Sequence, residues 1–264
     1  MKVIEGGLKE FLDKKVSQYE MPDFIIDDPI CVPHRFSKKQ DIEIAGFFAA
    51  ILAWGNRKSI ISSCNRLLAG MDNAPYDFIC NFEEQDLKPF LGFAHRTFNA
   101  TDLFHFLDVL QYHYKTTGSI SLETAFSKYL RKSDSDIEPA LVSFYNSFFD
   151  EDIFPEYPRR TRKHIATPFK KSACKRLNMF LRWMVRSDAK GVDFGIWKTI
   201  KSSQLVCPLD VHVARVAKHF NLLQRPGNDW LAAKELTQNL KMLDAKDPVK
   251  YDFALFGLGV IEKF

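Results

Sequence analysis

The sequence predicts an all-α protein. Apolar residues recur at helical spacing through most of the chain, and nowhere do two alternating segments flank the Asn-Gly or Asp-Gly turn of a β-hairpin. No internal repeat or low-complexity tract is visible, which favours a compact helical array over a regular solenoid. With 264 residues, 46% of them hydrophobic and 24 of them Phe, the chain can bury one large core or two small ones.

Taken in order, helices are expected over 5–19, 40–54 and 57–70, the last two joined by Trp54-Gly55-Asn56-Arg57, where Gly55 turns an αα-hairpin. Between the first two, segment 21–39 carries Pro22, Pro29 and Pro33 and reads as an irregular connector. Helices follow over 100–115, 121–131 and 136–149, and a second connector, 151–170, carries Pro155, Pro158 and Pro168. The connectors suggest an N-terminal helical part, 1–150, and a C-terminal part, 151–264, of one unit. In the latter, 171–187 is strongly amphipathic: Leu177, Phe180, Leu181, Met184 and Val185 form its stripe, while Arg176, Arg182 and Arg186 fall off it. Further helices are expected over 192–200, 209–220, 229–242 and 247–261. The helix at 209–220 follows Pro208, has Val213, Val216, Ala217 and Phe220 on its apolar face, and has Asp210 at or beside its N-cap.

Composition narrows the setting. The five cysteines are scattered, with no CxxC pair and no histidine at zinc-site spacing, so a reduced cytoplasmic protein without metal or cofactor is expected. No secretory segment and no apolar run of membrane-spanning length is seen, so no membrane partner is expected either. A net charge of +4 says little by itself, but its placement is uneven. Eight Lys or Arg and no acid lie between Arg159 and Arg176, after seven acids within 134–156. Lys175 falls in the first turn of its helix, where the dipole is positive and a cation is mildly unfavourable. It calls for a reason beyond folding.

The stretch LDVHVARVAKHFNLL resembles a segment of the helix-hairpin-helix base-excision DNA glycosylases, which reads Val-Asp-Thr-His-Val followed by an Arg-Val pair. The resemblance puts Asp210 at the catalytic carboxylate, His212 at the following histidine, and Arg215 with Val216 at the pair. SACKRLNMFLRWM is similar to the Gly-Arg-Lys-Thr-Ala helix start of the bifunctional members and puts Lys175 at the lysine nucleophile. The thirty-five positions between Lys175 and Asp210 are nearest to the pattern of archaeal 8-oxoguanine glycosylases. Two departures stand out: Lys171, Ser172, Ala173 and Cys174 replace the Leu-Pro-Gly-Val-Gly hairpin, and the four-cysteine iron–sulfur loop of some members is missing. Over nearly its whole length the chain also resembles an uncharacterised bacterial family, domain of unknown function 2400.

The resemblance implies a two-part helical array of the DNA glycosylase type with a divergent hairpin, acting as a monomer on duplex DNA with a damaged or abasic nucleotide. Such an enzyme extrudes its target nucleotide, so it needs phosphate contacts, a wedge and a pocket. Arg159, Arg160, Arg162, Lys163, Lys170, Lys171 and Arg176 are the expected phosphate contacts, and Asn56 or Arg57 the wedge. Trp54, Phe169, Trp183, Trp197 and His212 are pocket candidates, with core the simpler assignment for the aromatic ones. Two rivals remain: a noncatalytic module binding DNA or RNA, with Lys175 on a phosphate and Asp210 only a cap, and a protein-interaction scaffold whose basic stretch contacts the acidic segment 134–156 or an acidic partner.

Overall fold

The computed structural model describes residues 6–264, and it is mostly helical, as the sequence predicts. The chain forms two compact units. The first comprises the described residues up to Ile25, Arg131–Pro139 and Thr167–Phe264; the second comprises Ile26–Leu130 and Ala140–Ala166. The chain is therefore not parted near residue 150, because its N-terminal helix belongs with its C-terminal one.

In the first unit, α1 (Gly6–Tyr19) packs on the last helix, here named α12 (Tyr251–Phe256), which continues as a π turn over Gly257–Ile261. The contact depends on Gly257, since a Cβ there would collide with the Tyr19 ring. Leu12, Val16, Tyr251, Phe253 and Leu255 are buried. The amphipathic helix α9 (Lys175–Val185) adds Phe180, Trp183 and Met184, with the Trp197 ring set edge-on to Phe180 at 5.3 Å. Helices α10 (Val211–His219) and α11 (Trp230–Leu243) complete the unit, burying Val213, Val216, Leu236 and Leu240.

Two expectations fail here. Segment 192–200 is not helical: it runs back along the end of α9, where Phe194 N–H donates to Trp183 O at 2.8 Å and Trp197 N–H to Met184 O at 2.9 Å. The Asp188 carboxylate organises the bend by accepting from the N–H groups of Lys190, Val192 and Asp193, and Gly191 and Gly195 take positive φ. Residues 171–174 also stand outside their expected helix. Lys171 and Cys174 are left-handed, with φ of 61° and 51°. Ser172 forms an antiparallel bridge with Asp229, and Lys171 O accepts from Trp230 N–H at 3.1 Å.

The second unit is built on α3 (Lys39–Ile51), buried on all sides from Ile42 to Ile51. Around it lie α4 (Arg57–Ala69), α5 (Pro75–Asn81), α6 (Ala100–Gln111) with its π turn Tyr112–Thr116, α7 (Glu123–Ser127) and most of α8 (Glu138–Phe148). Phenylalanines fill the centre: Phe106 meets Phe148 at 4.7 Å and Phe126 stacks on Phe144 at 4.0 Å. Short helices led by Pro22, Pro29, Pro33 and Pro75, too brief for a periodic signal, occupy stretches the sequence leaves irregular. A two-stranded antiparallel hairpin, β1 (Ala94–His95) and β2 (Phe98–Asn99), is also new. Strands of two residues have no measurable alternation, and Arg96 rather than Gly supplies the positive φ of the turn, so the usual signals are missing. No helix among the described residues is long and apolar enough to cross a membrane.

Candidate functional site

Lys175 is the first residue of α9 and Asp210 the N-cap of α10. The two carboxylate oxygens of Asp210 have separate tasks. Oδ1 accepts from the backbone N–H groups of His212 and Val213, both at 2.9 Å, while Oδ2 lies 3.4 Å from Lys175 Nζ. The pair is held from both sides. Ahead of Lys175, the buried Asn178 donates from Nδ2 to Ala173 O at 3.0 Å. Ahead of Asp210, Cys207 N–H donates to Thr237 Oγ1 at 3.0 Å, and Cys207 and Leu209 are buried. Both side chains keep access to solvent, that of Lys175 being 32% exposed and that of Asp210 21%.

Buried charges lie behind the pair. Arg182 and Arg186, which fall off the apolar stripe, are nevertheless each only 4% exposed. Arg182 joins Asp252 at 2.5 Å and Asp193 at 3.3 Å. Arg186 joins Asp193 at 3.0 Å, Asp247 at 2.7 Å and Glu20. Burial pushes Asp252 up to about 6; Arg182 and Lys175 oppose that rise, and Asp210 adds to it. Asp252 is thus in electrostatic reach of the pair, and sequence reasoning misses it. Its only signal is an acid inside the apolar run YDFALF.

Glu20, Asp188 and Asp193 bring ligand oxygens together in a manner that could hold a metal ion. The Arg186 guanidinium already supplies a cation to these same three carboxylates. Burial pushes the thiol of Cys174, next to Lys175, up to about 12, so it stays protonated near neutral pH.

The basic strip is divided between the units. Arg159, Arg160, Arg162 and Lys163 fall in the second, and Lys170, Lys171, Lys175 and Arg176 in the first. Three of its arginines find acids from outside the strip: Arg159 and Arg162 pair with Glu151 at 2.6 and 3.1 Å. Arg160 pairs with the fully buried Asp102 at 2.6 Å and also donates to Asn99 Oδ1 and Thr97 O. Lys163, Lys170 and Lys171 are exposed, and Arg176 is half-buried.

Among the pocket candidates, Trp183 and Trp197 are core residues, while Phe169 is 82% exposed and Trp54 54% exposed. His212 is half-buried, and its Nδ1 is enclosed without a hydrogen-bond partner. An aromatic-walled cavity of about 560 Å³ lies in the second unit, between Tyr112, Tyr129, Phe144, Phe148 and Phe154, and none of the five candidates lines it. Asn56 caps α4, its Oδ1 accepting from Lys58 N–H at 2.9 Å, and Arg57 opens that helix.

Fold and site together define an all-α protein with a lysine and an aspartate paired at two helix starts over a buried ion-pair network. The chain belongs to the family described as Protein of unknown function (DUF2400), whose pattern it matches over residues 28–261. In comparisons with curated proteins and with solved structures, nothing matches it.

Proposed function

We propose that the protein is a DNA repair glycosylase that removes a damaged base through Lys175, assisted by Asp210, and then cleaves the abasic site as a lyase. The observation that carries this reading is the 3.4 Å approach of Lys175 Nζ to Asp210 Oδ2, across thirty-five positions of sequence, with both groups open to solvent. The resemblance of both segments to the helix-hairpin-helix glycosylases supports the same roles.

In this chemistry the neutral Lys175 amine donates its electron pair to the sugar C1′. The glycosidic C–N bond breaks, and its electron pair leaves with the base, which takes up a proton from solvent water. Asp210 Oδ2 accepts the proton lost by the lysine and faces the positive charge that develops on the sugar. Ring opening gives a lysine–sugar Schiff base, from which loss of the C2′ proton eliminates the 3′ phosphate. Asp210 is suited to this work because Oδ1 is fixed by two backbone donors, which aims Oδ2 at the amine.

The rival with its own observation is a noncatalytic nucleic-acid-binding module. Asp210 is a complete N-cap without any chemistry, and Lys175 with Asp210 can be read as a half-exposed ion pair of small energetic weight. Borohydride trapping decides between the two. Purified protein is mixed with duplexes carrying an abasic site, uracil, or an oxidised or alkylated base, then reduced and resolved by denaturing electrophoresis. A covalent adduct with wild type that disappears in Lys175→Gln, at unchanged DNA affinity, is the expected result. Binding without adduct or base release on every duplex would leave the module, and no binding to any nucleic acid would leave a scaffold.

A further inference from the structure

The β1–β2 hairpin ends in an arginine whose conformation and charge nothing in the fold explains. Arg96 has φ of 56°, a region that costs an ordinary L residue of order 1 kcal/mol and that Gly or Asn would fill more easily. Its side chain is directed at one place. A Cβ on Gly55 would lie 2.5 Å from Arg96 Nη2 and 2.8 Å from Nε, so the guanidinium occupies the space that a side chain at Gly55 would need. Gly55 itself has φ of 112°. Both residues fit a single arrangement, with the arginine laid along the Trp54–Arg57 turn.

The hairpin is pinned there. Ser63 Oγ and His95 Nδ1 are 2.9 Å apart, and Arg66 Nη2 donates to Ala94 O at 2.9 Å, tying β1 to α4. Arg96 is exposed, and among the described residues its guanidinium has no hydrogen bond or ion pair. No acid occurs from residue 44 to 71 or from 87 to 101, whereas these stretches hold Arg57, Lys58, Arg66, Lys88 and Arg96. Trp54, 54% exposed, is the neighbour of the Gly55 that Arg96 covers.

A guanidinium with free donors matches the planar two-oxygen face of a phosphodiester, and an exposed indole beside it suits an unstacked base. We infer that Arg96 is a phosphate-binding residue and that the hairpin tip and the Trp54–Arg57 turn form one nucleic-acid-docking surface, with Trp54 stacking on a base next to the bound phosphate. This rests on the nucleic-acid reading given above, but it assigns residues of the second unit only and is independent of Lys175 chemistry.

The test is fluorescence anisotropy with a short labelled duplex bearing a tetrahydrofuran abasic analogue, titrated over a range of KCl. Arg96→Asn keeps a residue at ease with positive φ, so folding is preserved, which circular dichroism and thermal melting check. Its affinity should fall about fivefold near 0.1 M salt, and its log–log salt slope should become shallower by about 0.9, the signature of one lost phosphate contact. Arg96→Lys should restore the slope. Trp54→Leu should weaken binding with the slope unchanged. Weakened binding of Arg96→Asn at an unchanged slope would mean that the guanidinium only packs the turn, and wild-type behaviour of that variant would equally overturn the inference. In both cases intact Lys175-dependent trapping leaves the glycosylase reading standing. Wild type that binds no nucleic acid overturns both.

Discussion

Asp210 Oδ2 lies 3.4 Å from Lys175 Nζ while Oδ1 of the same carboxylate caps α10, so one residue joins the starts of two helices. The division of labour makes the two roles separable. Asp210→Asn keeps an oxygen for the His212 and Val213 N–H groups and replaces the one facing Lys175 with an amide. Stability should fall by about 1 kcal/mol or less, because an Asn cap is nearly as good as Asp. Base release should drop by about a hundredfold or more, the scale for losing a positioned proton acceptor. Asp210→Ala should lose about 1 kcal/mol of cap stability in addition. Equal turnover of Asp210→Asn and wild type in a single-turnover assay would remove Asp210 from the mechanism.

The buried arginines should matter more to stability than any exposed cation. Arg182→Met leaves Asp193 and Asp252 without one of their counter-charges in a closed environment, and removing one member of a buried ion pair costs about 3–5 kcal/mol. Urea unfolding should therefore show a large loss for Arg182→Met. Arg182→Met combined with Asp252→Asn should recover part of it, since one orphaned charge is then gone. A loss that simply adds in the double variant would mean that the two side chains are not coupled.

Much of this organisation is legible in the sequence, and the failures share a cause. The stripe of α9 and the Asp210 cap are local patterns, so spacing and residue type suffice to put Lys175 and Asp210 at helix starts. They do not reveal the network behind the pair, because Arg182 bonds a carboxylate seventy positions away, and helical spacing carries no information about so distant a partner. The same holds for the basic strip: acid-free in sequence, it loses Arg160 to Asp102, fifty-eight positions upstream. Segment 192–200 reads as helix because it is rich in apolar residues, yet backbone bonds to the end of α9 are what bury them, and nothing within nine residues records that. The hairpin carrying Arg96 escapes because its strands are shorter than one period of alternation.

Acid should destabilise the protein before its ordinary carboxylates titrate. Burial holds His95, His105 and His113 below the usual histidine range, His105 Nε2 lying 3.0 Å from Phe148 O and His113 Nε2 3.0 Å from Ser121 O. For groups depressed in the folded state, the unfolded chain binds protons first as pH falls. Their stability contribution is complete above about pH 6.5 and is lost as pH drops toward the folded values, at up to about 1.4 kcal/mol per pH unit for each group. Asp252 acts in the opposite sense: raised to about 6, it favours the folded state as it protonates between pH 6 and 4. Urea unfolding at about pH 7.5 and about pH 5.5 should show lower stability at the acid value. The drop should be shallower in His113→Gln and steeper in Asp252→Asn. A wild type at least as stable in acid would contradict the buried neutral imidazoles.

Lys171 offers a test in which stability and binding should move in opposite directions. It sits at φ 61° and ψ 13° in the turn before α9, exposed, with its carbonyl accepting from Trp230 N–H. A side chain in the left-handed region is strained, and glycine removes the strain at some cost in unfolded-state entropy, for a net gain of about 0.5 kcal/mol. The Trp230 bond uses only backbone atoms, so glycine can keep it. If the fold alone had shaped this position, Lys171→Gly would be a harmless improvement. A lysine that serves a phosphate should instead cost affinity when removed, about threefold to tenfold near 0.1 M salt, with a shallower salt slope. A melting temperature raised by a few degrees together with weaker duplex binding is therefore the expected pair of results. Unchanged binding would strike Lys171 from the phosphate contacts. A lowered melting temperature would show that its side chain, rather than its backbone, is what the turn needs.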